Sequence, residues 1–81
     1  MSISSFMNLI KCGFDVSFNY KNVFYTISLL QDDSQNRKYG IGGDNGFAYD
    51  FESLESIPDY ILDGKSIKDI VAQLKKEEVF F

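Results

Sequence analysis

The spacing of apolar and polar positions changes period several times along the chain, and each change marks an element. Ile3, Phe6, Met7, Leu9 and Ile10 recur at three- and four-residue spacing, which predicts a short amphipathic helix over roughly Ser4 to Cys12. Ser2 or Ser4 is available as its N-cap, Gly13 suits the position just past its end, and Lys11 falls beside the negative end of its dipole. The period then becomes two. Phe14, Val16, Phe18 and Tyr20 alternate with Asp15, Ser17 and Asn19, the pattern of a half-buried strand.

A reversal at Lys21-Asn22 would pair Tyr20 with Val23, Phe18 with Tyr25, Val16 with Ile27 and Phe14 with Leu29. Every pair puts two apolar side chains on one face, so pattern and register agree on a β-hairpin. The stretch Gln31 to Lys38 has no apolar residue and collects turn formers, which predicts a solvated loop. A second hairpin follows, with Tyr39, Ile41 and Gly43 before Asp44-Asn45-Gly46 and Phe47, Tyr49 and Phe51 after it.

Beyond Phe51 the pattern is helical for about one turn through Leu54 and Ile57, and Pro58 is expected to end it. Tyr60 to Lys65 predicts a short extended piece with a turn at Asp63-Gly64. Ser66 with Asp69 three residues on resembles a capping box, and Ile67, Ile70, Val71 and Leu74 then predict a helix to about Lys76. Val79-Phe80-Phe81 adds three large apolar residues after a charged run; a return into the core, an extra edge strand and docking on a partner are all open to it. The elements together predict an α+β fold: a four-stranded antiparallel meander of two β-hairpins, with N-terminal and C-terminal helices packed on one face. At 81 residues the expectation is one small domain.

Composition narrows the chemistry. There is no His and only one Cys, so the usual general base near neutral pH and the commonest metal ligand are missing. Ser66 beside Lys65 offers a serine–lysine pair, but a helix cap explains that serine better. Asp32, Ser34 and Asn36 fit the first positions of a calcium loop, yet Arg37 and Gly43 stand where that loop needs Gly and Glu. Gly40, Gly42, Gly43 and Gly46 lack the following Lys-Ser/Thr of a phosphate loop and lead into no helix, so hairpin geometry accounts for them. No enzyme and no cofactor are expected. Cys12 has no internal disulfide partner, and the N-terminal apolar stretch is too short for a signal-peptide core or a membrane span. A cytoplasmic protein with no membrane association is therefore expected. The net charge of -4 argues against direct nucleic-acid binding.

Two features point to a protein partner. Between Tyr39 and Gly64 stand six acids, Asp44, Asp50, Glu52, Glu55, Asp59 and Asp63, and no Lys or Arg, which would steer a basic partner toward that end. The plain alternative is charge held for solubility. The second feature is the sheet's outward face, which register assigns to Asp15, Ser17, Asn19, Phe24, Thr26, Ser28, Leu30, Gly40, Gly42, Ala48 and Asp50. A solvated face usually carries Lys, Glu and Arg; this one is nearly uncharged and holds Phe24 and Leu30, which suits another protein or a second copy of the same sheet. The candidate partner-binding set is thus Phe24, Thr26, Ser28, Leu30, Asp44, Asp50, Glu52, Glu55 and Asp59. A homodimer, or a small ligand held by the glycine-rich hairpin and its tyrosines, is the alternative reading.

Phe18, Tyr20, Tyr25 and Ile27, followed by Leu62, Asp63, Gly64, Lys65, Ile67, Asp69 and Ile70, also carry a resemblance. The chain resembles a group of small uncharacterised proteins of Firmicutes and their phages, marked by F-x-Y-x-G-K-x-Y-x-I and I-D-G-K-x-L-x-[DE]-I. It departs from them at Asn22 and Val23, where the group has Gly and Lys. The resemblance implies a bacterial or prophage accessory protein and carries no assigned activity; for a binding module in that setting the expected job is inhibitory, neutralising a toxin or blocking a host defence factor.

Overall fold

A computed structural model of the chain describes residues 1–33 and 36–81. Helix α1 spans Ile3–Lys11; the Ser2 hydroxyl accepts from the Ser5 N–H at 3.1 Å, and Gly13 closes the helix with φ +94°. Strands β1 (Val16–Tyr20) and β2 (Val23–Asp33) follow in the register that the alternation predicts, Tyr20 opposite Val23, Phe18 opposite Tyr25 and Val16 opposite Ile27. Phe14 is the exception. It precedes β1, is 49% exposed, and meets the Phe81 ring edge-on at 6.0 Å instead of pairing with Leu29.

Strand β3 (Asn36–Gly43) returns beside β2, and β4 (Ala48–Asp50) beside β3. The loop predicted over Gln31 to Lys38 is largely strand: Gln31 opposes Lys38, Asp32 opposes Arg37 and Asp33 opposes Asn36, past a bulge between Leu29 and Gln31. This polar ribbon lies beyond the core, so neither of its faces is buried. An alternation of hydrophobic and polar residues has nothing to register there. Arg37 reaches the Asp32 carboxylate at 3.0 Å across the ribbon. Ser34, one position of the discounted calcium pattern, lies outside the described residues.

After a 3₁₀ turn over Leu54–Asp59, capped by Ser53 and holding Pro58 inside it, β5 (Ile61–Leu62) and β6 (Lys65–Ser66) make a two-strand ribbon around the turn at Asp63-Gly64. Pro58 does not end the turn, since a 3₁₀ segment this short loses only one bond to the missing N–H. Helix α2 covers Ile67–Gln73, and the Ser66 hydroxyl accepts from the Asp69 N–H. It stops short of the predicted Lys76: Leu74 is already extended, and the Met1 ammonium donates to the carbonyls of Val71 and Leu74. The early stop lets the chain return to the sheet. There β7 (Val79–Phe80) pairs with β1, placing Val79 opposite Phe18 and Phe80 opposite Ser17.

The result is α+β, with a five-stranded antiparallel sheet in the order β4-β3-β2-β1-β7. The tail forms the edge strand, which adds a strand to the expected four, and through Val79 it also returns into the core. The core combines Phe6 and Ile10 of α1, Ile67, Ile70 and Val71 of α2, and the inward side chains Val16, Phe18, Tyr25, Ile27, Tyr39, Ile41 and Val79. Helices from both ends of the chain thus cover one face of the sheet and leave the other bare. No helix among the described residues is long and apolar enough to cross a membrane.

Candidate functional site: the open sheet face

Every second residue of the strands turns away from the helices. On β1 these are Ser17 and Asn19; on β2 Phe24, Thr26, Ser28 and Leu30; on β3 Gly40 and Gly42; on β4 Ala48 and Asp50; on β7 Phe80. Over this part of the sheet Asp50 alone is charged. The Ser17 and Thr26 hydroxyls share one hydrogen bond across the β1–β2 pair at 2.8 Å.

Relief on the face comes from the absence of side chains on β3. A Cβ on Gly40 would stand 2.5 Å from Leu30 Cδ1, so Leu30 lies over the glycine backbone and would have to move to admit any side chain there. Gly42 leaves the space beside it open. The consequence is a shallow trough of about 480 Å³ lined by Phe24, Thr26, Ser28, Leu30, Gly40, Gly42, Ala48, Asp44 and Asp50. Phe24 marks one end and Leu30 the other. Phe80 extends the aromatic end, its ring 5.9 Å from that of Phe24. Phe24, Phe80 and Leu30 are 36%, 51% and 56% exposed, large apolar side chains that the core leaves unused.

The nine predicted residues separate into groups. Phe24, Thr26, Ser28, Leu30, Asp44 and Asp50 all line the trough. Asp44 is also structural, its carboxylate accepting from the Phe24 N–H at 3.2 Å. Glu52 and Glu55 lie elsewhere, in a hollow shared with Lys11 and Arg37 near the end of α1. Asp59 is bound to Lys68 at 3.1 Å, and that carboxylate raises the Lys68 pKa first through its hydrogen bond and then through its charge. Asp63 likewise approaches Lys21, at 3.9 Å. The acidic run is therefore not one surface: folding sets its later members against cations from other elements, and only Asp44 and Asp50 remain with the open face.

Sequence reasoning missed two features. Phe80 joins the face because β7 pairs with β1, and a two-residue strand has too few positions to show a period. The other is a pair of tyrosines at the β4 edge, where Tyr49 stacks on Tyr60 with ring centroids 4.4 Å apart and Phe51 meets both rings edge-on. Their only sequence signal is aromatic content.

Among the described residues no cluster of three or more potential metal ligands occurs. Cys12 is exposed at the C-cap of α1. Comparison with protein-family models, with curated proteins and with solved structures returned no match.

Proposed function

We propose that this chain is a non-enzymatic protein-binding accessory of bacterial or prophage type, acting by occupying a surface of its target, and that the open sheet face is what binds. The observation that carries the reading is the face itself: Phe24, Phe80 and Leu30 are held exposed around a trough whose floor is glycine backbone. Exposed aromatic and aliphatic anchors beside a shallow, nearly uncharged surface are what the centre of a protein interface is built from. The absence of histidine from the sequence supports binding over catalysis, and the resemblance to small phage and Firmicutes proteins supports an accessory protein, a setting in which such a binder would neutralise a toxin or block a host defence factor.

Affinity capture from source cells, run in parallel with the wild type and with a Phe24→Asp/Leu30→Asp variant, tests this. The expected result is one protein retained by the wild type and lost with the variant, while circular dichroism shows the variant still folded. Retention of nothing by the wild type at any salt concentration, or equal retention by both, would overturn it. The same face suits a second copy, so light scattering of the isolated protein decides between a foreign partner and self-association.

A further inference from the structure

The inference concerns what part of the partner is held, and it rests on the reading just given. Strand β4 is an outer strand of the sheet, and its ladder to β3 shows which of its backbone groups are spare. The Phe51 N–H donates to the Tyr39 carbonyl at 2.9 Å, and the Gly43 N–H to the Phe47 carbonyl at 2.8 Å. Tyr49 opposite Ile41 is the hydrogen-bonded pair between them. The alternation therefore turns the N–H and C=O of Ala48 and Asp50 away from β3, toward open space. All three residues of β4 are exposed.

The side chains flanking this edge share one chemical preference. On the outward side stand Asp50 and, at the hairpin tip, Asp44, neither of them in an ion pair among the described residues. On the helix side stands Tyr49, 36% exposed and stacked on Tyr60. Carboxylates on one side and an aromatic face on the other both favour cations. No Lys or Arg occurs from Tyr39 to Gly64, and Lys38, the nearest basic residue in the ladder, opposes Gln31 past the bulge. The opposite edge differs: β7 has two residues and follows a run of mixed charge.

We propose that the partner contributes an extended basic segment that adds as a further strand beside β4. Its backbone bonds to Ala48 and Asp50. Its alternate side chains fall in two rows, one over Asp50 and the trough floored by Gly40 and Gly42, the other against Tyr49 and Tyr60. Main-chain bonds supply affinity in such an addition, and the side-chain rows supply selectivity.

The test uses the full chain, isotopically labelled, titrated with a nine-residue peptide of alternating lysine and threonine and with its glutamate counterpart. The lysine peptide is expected to shift the Ala48 and Asp50 amide resonances and to slow their exchange with solvent about tenfold or more at saturation. Ala48→Pro deletes one outward N–H at an edge position where proline is tolerated, and should weaken binding about tenfold with the fold intact. Ala48→Thr keeps the N–H and should lose less affinity than Ala48→Pro does. Equal binding of the glutamate peptide, an unchanged Ala48 amide, or wild-type affinity in Ala48→Pro overturns strand addition. Capture of the cellular partner separates this failure from that of the face reading. A partner kept by Ala48→Pro but lost by Phe24→Asp/Leu30→Asp removes the added strand and leaves the face; a partner kept by both removes both.

Discussion

Asn22 shows how a single residue can hold a conformation it does not favour. Lys21 and Asn22 both have positive φ, +50° and +65°, as the tight reversal between β1 and β2 demands. Asparagine tolerates the left-handed region better than most residues, and glycine better still. Asn22→Gly should therefore raise stability by roughly 0.5–1 kcal/mol, read as a higher midpoint in urea; an unchanged or lower midpoint would mean that the turn is not under this strain. Tyr25 and Tyr60 make a different demand. Burial raises the pKa of both phenols, with Asp63 adding to the effect on Tyr25 and Tyr49 to that on Tyr60. A raised folded-state value means that the unfolded chain ionises first. The contribution is complete below the ordinary tyrosine value, about 10, and is lost as the pH rises through the higher folded values. Melting temperature should fall in that alkaline range, checked by thermal unfolding across a pH series.

Among the elements, α2 depends most on a single side chain. It is seven residues long, too short to persist alone, and its first turn is held by the Ser66 hydroxyl at 3.3 Å from the Asp69 N–H. Ser66→Ala should cost about 1 kcal/mol in chemical unfolding, and a loss near zero would mean that packing of Ile67, Ile70 and Val71 alone fixes the helix start. This helix, α1 and the first hairpin are legible in the sequence because each buries one face against a common core, so its period is imposed by burial. The parts that escape are those whose conformation is set by something other than a buried face. The ribbon Gln31–Asp33 with Asn36–Lys38 is strand because its neighbours are strand. Strand β7 is strand because β1 has a free edge, and α2 ends early because Val79 must reach Phe18. Of the candidate site, the outward row of the strands follows from register alone. The acids do not, because Lys68 and Lys21 come from distant elements to meet Asp59 and Asp63, and folding places Glu52 and Glu55 in a separate hollow.

Across the whole molecule, one sheet separates two kinds of surface. Its helix side holds the buried aromatic and aliphatic core; its other side is floored by small residues and rimmed by Phe24, Phe80 and Leu30. Substitutions should divide accordingly. Phe18→Ala, at a side chain with no exposure, should cost about 3–5 kcal/mol and leave little folded protein, whereas Ser28→Ala should leave the unfolding midpoint nearly unchanged. Within β2 the two classes alternate residue by residue: Tyr25 and Ile27 hold the fold, while Phe24, Thr26 and Ser28 meet whatever lies outside. A lineage under pressure to follow a changing target could rewrite Phe24, Thr26 and Ser28 while Tyr25 and Ile27 keep the architecture constant. Divergence among its descendants would then show a two-residue rhythm of variable and invariant positions, detectable in an alignment before any binding experiment is done.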